Sequence, residues 1–237
     1  MKVSAQRGFT LIELALGMVI IGLLMGGALI SLMSQRETQA RHETEDQLLT
    51  VRDALVGFAM ANGYLPCPAT LGSNGQQAPV GGGNCSQSHG YVPVRTLGLS
   101  GTVDSNGLLL DQWNSPLRYS VTQSDVGGAS SADFTTPGDM RAVQMQFLNP
   151  DLQICQAVNC PAGSVISSTA PFVIFSIGKN GTRSPGRHER ENIDNSDRQF
   201  CSRGYADLTS SERFDDLLLW ISPQVLYHRL VTAGQLP

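Results

Sequence analysis

From Leu14 to Met33 the chain reads LALGMVIIGLLMGGALISLM, 20 residues with neither a charge nor a proline. That length matches the ~20 residues a helix needs to cross a bilayer. A secretory signal has a shorter apolar region, closed by a small-residue cleavage site. Here Gln35-Arg36-Glu37 follows instead and the helical pattern continues, so the arm is expected to stay on the protein. Lys2 and Arg7 precede the stretch. Positive charge on that side places the short leader in the cytoplasm and the C-terminal part in the periplasm or outside the cell.

A chain of 237 residues with 15% charged side chains has room for one sizeable core, so one globular domain plus the apolar arm is expected. The net charge of −4 comes with Lys and Arg residues scattered along the chain, which leaves no electrostatic footprint for nucleic acid.

Glu13 stands at the start of the apolar arm, where an ionisable group costs on the order of 2 kcal/mol unless it reaches water or a partner. Around it runs Arg7-Gly8-Phe9-Thr10-Leu11-Ile12-Glu13. This string, with a basic leader before it and an apolar span after it, resembles the processing site of type IV pilins and type II secretion pseudopilins. The resemblance implies that prepilin peptidase cuts between Gly8 and Phe9 and that the new amino terminus, Phe9, is methylated. It also implies that the subunit assembles with other pilin or pseudopilin subunits on an inner-membrane platform, in contact with lipid. Cleavage would leave a cationic amine on an apolar helix, and Glu13 is the carboxylate available to neutralise one. In the family this pairing joins neighbouring subunits, so two charges that are each costly alone favour assembly in register. Gly8, without a side chain, suits an extended backbone in a protease cleft.

Many type IV pilins carry a proline midway along the span, whereas this chain has none between Gly8 and Leu65. Gly17, Gly22, Gly26 and Gly27 are alternative points of loosening, and Gly22 to Gly26 also forms a small-xxx-small packing surface. Beyond the polar stretch from Gln35 to Asp46, apolar residues return at Leu48, Val51, Leu55, Phe58 and Ala59. Their spacing of three and four predicts an amphipathic helix ending at Asn62-Gly63. An unbroken helix from Phe9 to Asn62 would be roughly 80 Å long. The expected organisation is a leader over 1–8, a membrane and filament-core helix over 9–33, its amphipathic continuation over 34–62, and a periplasmic domain over 63–237.

That domain is expected to be α+β and type IV pilin-like, the helix packing on a small antiparallel sheet. Leu117 to Thr122, Ala142 to Leu148 and Pro171 to Ile177 have strand composition. Ser124 to Asp139 reads as a mobile loop, Thr70 to Gly90 as a Gly-rich loop, and Pro223 to Val231 as a short terminal helix. Three further segments resemble the major pseudopilin. Asp111-Gln-Trp113-Asn-Ser-Pro116-Leu-Arg-Tyr119 has Asn114 where glycine is usual, and Phe175-Ser-Ile-Gly178-Lys-Asn-Gly181 has Asn180 in place of an acid. The third is Phe214-Asp215-Asp216-Leu-Leu-Leu-Trp220. The aromatic residues in these segments are expected to be core residues.

In the major pseudopilin the loop after that turn binds calcium. The matching stretch here offers Asn192, Asp194, Asn195 and Asp197 as oxygen ligands, although the EF-hand spacing is absent. No other cofactor is expected. Five cysteines fit an oxidising compartment and leave at least one unpaired. Cys155 with Cys160 and Cys67 with Cys85 would each close a loop, leaving Cys201, while a bridge between Cys67 and Cys201 is an alternative that sequence does not decide.

No nucleophile elbow, zinc-protease motif or complete phosphate loop is present, and a Ser184, His188, Asp194 set is ordinary loop composition. The expected function is therefore that of a noncatalytic minor pilin or pseudopilin, in a type IV pilus or a type II secretion pseudopilus. The alternative is a membrane-tethered periplasmic binding module that never enters a filament, with the 70–90 and 124–139 loops as its contact surfaces.

Overall fold

The structure is a computed structural model that describes residues 8, 10–126, 128, 131–181, 183–206 and 211–237; the side chains of 24–34 fall outside the description. The leader residues Met1 to Arg7 and Phe9, named above for cleavage and methylation, also lie outside the described residues. The chain divides into two units, 1–42 and 43–237.

A single helix, α1, runs over Leu11–Asn62. It ends where Gly63 takes a left-handed φ of 78° and its N–H bonds back to the Ala59 carbonyl. Only a residue without a Cβ adopts that conformation cheaply, so the chain leaves the helix there. Over Leu11 to Leu23 the helix is apolar except for Glu13, with Leu11, Ile12 and Leu23 each more than 70% exposed. Among the described residues, no helix is long and apolar enough to cross a membrane.

In the second unit α1 buries one stripe, Thr44, Leu48, Val51, Leu55 and Ala59, as its spacing predicts. The stripe packs against one face of a four-stranded antiparallel sheet. The sheet comprises β1 (His89–Tyr91), β2 (Arg118–Val121), β5 (Phe172–Ser176) and β7 (Leu217–Trp220), in the order β1-β2-β5-β7. Its other face meets a three-stranded sheet of β3 (Leu152–Cys155), β4 (Val165–Ala170) and β6 (Gln199–Cys201). β5 lies between both layers. Phe172 and Ile174 join the helix-side core, while Val173 and Phe175 join the core between the sheets. Burial on both faces is the reason β5 reads as an unbroken apolar run instead of an alternating one. α2 (Asp139–Val143), α3 (Arg187–Ile193) and α4 (Pro223–Thr232) complete the domain. α4 starts at a Ser222 cap followed by Pro223 and buries Leu226 and Leu230 in the helix-side core.

One expectation is corrected and two are refined. Ala142 to Leu148 is not a strand: Ala142 and Val143 close α2, which buries Met140, and Gln144 then turns out with φ 70°. Within the 124–139 stretch expected as a loop, Phe134 is fully buried and its carbonyl accepts from Leu65 N at 2.7 Å. The antiparallel sheet expected beneath the helix is present, and the second sheet adds a parallel pair, β3 with β6.

Disulfides join Cys67 to Cys85 and Cys155 to Cys160, and Cys201 is free and buried. Burial pushes the Cys201 thiol up to about 12, which leaves almost no thiolate for exchange. The first bridge spans 18 positions of the Gly-rich loop. Replacing Cys67 and Cys85 together by Ala is expected to lower the unfolding free energy by about 3 kcal/mol, measured as a shifted denaturation midpoint of the detergent-solubilised chain.

Candidate functional site

At the start of α1 the side chain of Glu13 has a partner that charge arguments overlooked. Thr10 donates from both its N–H and its Oγ1 to Glu13 Oε2, each at 2.9 Å, and Glu13 N–H donates to Thr10 Oγ1 at 3.3 Å. This is a reciprocal capping box, and Thr-x-x-Glu before an apolar run is its sequence signature. The acid is thus held at the exposed mouth of the helix, satisfied by its own chain. Among the described residues, a Cβ on Gly8 would meet nothing within 4 Å.

A second constellation lies in the domain, where Glu189 on α3 and Asp215 and Asp216 ahead of β7 bring three buried carboxylates within 4.8 Å of one another. Their hydrogen bonds from outside the trio come from α3 and its cap and from the turn after β5. Glu189 Oε2 accepts from Gly186 N and Asn180 Nδ2, and its Oε1 accepts from Asp215 N at 2.8 Å. Asp215 Oδ2 accepts from Asn180 N at 3.1 Å, and Asp216 Oδ2 accepts from Asn192 Nδ2 at 2.7 Å. Gly178, at φ 62°, passes so close that a Cβ there would lie 2.2 Å from Asp215 Oδ1. Burial, opposed by Asn180 N–H and reinforced by the charge of Glu189, raises Asp215 to about 6. Burial likewise holds Asp216 well above the usual carboxylate range.

The sequence-derived calcium ligands are placed differently. Asn192 is buried and spends its amide on Cys201 N, Cys201 O and Asp216. Asp194 and Asp197 are exposed and accept from the backbone N–H groups of Ser196 and Gln199, and Asn195 is exposed beside them. The loop therefore does not gather the four. The residues whose chemistry fits a hard cation are Glu189, Asp215 and Asp216, and two buried oxygens beside them, Asp215 Oδ1 and Asn180 Oδ1, lack a donor. A bound calcium would offset two of the trio's three negative charges and tie α3 to the turn after β5 and the entry to β7. Asp215 and Asp216 sit inside the apolar run Phe214 to Trp220, and an acidic pair there was the available sequence signal; Glu189 carried none. His188 faces Arg203 Nη1 at 2.8 and 3.1 Å from its two ring nitrogens, and Asp194 is engaged with Ser196, so Ser184, His188 and Asp194 are not assembled.

Because Asp215 holds its proton to about pH 6 when folded but only to about pH 4 when unfolded, its contribution to stability is present at acid pH. It is lost as pH rises through about 6. The expected decline is about 2 kcal/mol between pH 4 and 7, read from urea midpoints across that range. The Asp215→Asn variant should flatten the decline. Calcium added at pH 7.5 should raise the unfolding temperature of the wild type and leave that of Asp215→Asn unchanged.

The model of the prokaryotic N-terminal methylation motif matches residues 3–29. No curated protein and no solved structure gives a significant match to the chain. The matched region contains Gly8, Phe9, the Thr10–Glu13 cap and most of the apolar arm. The chain therefore carries the N-terminal methylation motif that is characteristic of type IV pilins and pseudopilins.

Proposed function

We propose that this chain is a noncatalytic minor pilin or pseudopilin. Prepilin peptidase removes residues 1–8 and Phe9 is methylated. The apolar helix sits in the inner membrane with the domain in the periplasm, and the subunit then enters a pilus or secretion pseudopilus through that helix. The observation that carries this reading is an apolar helix, exposed on every described face of its first two turns, that begins with a capped carboxylate inside a methylation motif. Such a surface is satisfied by lipid before assembly and by neighbouring helices after it.

Glu13 gives the step its direction. In the single subunit, Thr10 supplies donors to the carboxylate. Inside a bundle of helices, where water is excluded, the stronger partner is the Phe9 ammonium of a neighbour, and each added subunit satisfies one buried charge with another. In cells with an intact assembly machine, the processed chain is expected in filaments sheared from the surface or in an overproduced pseudopilus. Processed chain confined entirely to the membrane fraction of such cells would contradict the assembly step and favour the tethered binding module.

A further inference from the structure

The 43–237 unit carries a groove of about 560 Å³, bounded by the end of β1, the 111–116 turn, the start of β2 and the turn after β5. Tyr91, Trp113, Arg118, Lys179, Asn180 and Arg183 line it. Every formal charge in that lining is positive, in a chain whose net charge is −4. Its volume lies within the range of small-ligand sites.

The lining is held in place before any ligand arrives. Tyr91 and Arg118 are directly opposed across β1 and β2, and the Arg118 guanidinium lies 4.9 Å from the centre of the Tyr91 ring. Asp111 pins the turn bearing Trp113 by accepting from Trp113 N and Ser115 N, and Asn114 takes the left-handed φ of 61° that the turn requires. Asp215 pins the opposite turn through Asn180 N. Trp113 is only partly buried, so indole surface remains open beside the cations.

We propose that this groove binds an acidic polysaccharide, a sugar ring resting on Trp113 and its carboxylates paired with Arg118 and the cations of the opposite turn. Three considerations select that occupant. The carboxylates complement the charge of the lining, and Arg118 can engage one bidentately. An acidic peptide docking as an added strand needs free backbone groups, but Tyr91 N and O are both bonded to Ala69, and β2 is paired on both sides. A duplex nucleic acid carries one phosphate charge per ~1.7 Å, a denser run than the single carboxylate per sugar of a polyuronide, and the net acidic chain repels it more strongly, while a single strand is the occupant that the oligonucleotide comparison tests. The site does not depend on whether the subunit enters a filament.

Calorimetric titration of the full chain in detergent with polygalacturonate oligomers tests the proposal, with neutral dextran oligomers, polyglutamate and oligodeoxythymidylate as comparisons. Binding of the polygalacturonate is expected to weaken with salt. It should fall at least tenfold in the double variant Lys179→Glu and Arg183→Glu, whose two sites are exposed and whose fold is checked by an unchanged unfolding midpoint. Dextran should not bind. Failure of polygalacturonate to bind, equal binding by the double variant, or tighter binding of polyglutamate or the oligonucleotide would each overturn the assignment.

Discussion

Replacing Glu13 by Ala is expected to leave membrane insertion and leader removal intact and to cut filament incorporation by about a hundredfold or more, since an unpaired buried charge costs about 3–5 kcal/mol. The loss is measured as the ratio of chain in the sheared filament fraction to chain in the membrane. Two different roles of Glu13 are separated by a second variant. Thr10→Ala removes the Oγ1 that donates to the carboxylate and accepts from Glu13 N–H, keeps the backbone N–H bond, and costs about 1 kcal/mol of helix capping. It keeps the charge that a neighbouring amine needs, so its incorporation should fall by about tenfold or less. If Glu13→Ala assembles normally, the carboxylate serves only as a helix cap and the account of intersubunit pairing is wrong.

Gly178→Ala should be strongly damaging, since Gly178 lies against the acidic trio. A side chain there must adopt φ 62° and would place its Cβ 2.2 Å from Asp215 Oδ1 and 2.7 Å from the Asp215 carbonyl oxygen. The second contact is with backbone, so rotating one side chain does not relieve it. The expected loss is about 3 kcal/mol or more, against about 1 kcal/mol for the left-handed conformation alone. Gly81→Ala provides the comparison, because Gly81 has φ 91° but a Cβ there meets nothing within 4 Å. Equal losses in the two variants would mean that the turn yields freely and that the approach of Gly178 to Asp215 has no energetic weight.

The long helix and its exit were legible because they rest on local signals: the charge-free run, the spacing of Leu48, Val51 and Leu55, and a glycine at the stop. β2, β5 and α4 were legible for the same reason. What the sequence hid depended on contacts between distant segments. The span 142–148 has strand composition, yet burial of Met140 draws its first residues into a short helix. β3 and β6 are short and partly polar, and nothing local marks them for parallel pairing. The acidic trio joins Glu189 to residues more than twenty positions away, so the Asn and Asp residues adjacent in sequence drew attention to the wrong side of α3. Thr10 was readable, since its relation to Glu13 is purely local, but the unusual charge of Glu13 diverted attention from its role as a cap.

The central claim is that this chain is matured as a pilin, and the most direct measurement is the N-terminal sequence and intact mass of the protein purified from its native membranes. The account predicts a chain that begins at Phe9 and is heavier by one methyl group than that sequence alone. A chain that begins at Met1 in cells with active prepilin peptidase would contradict it.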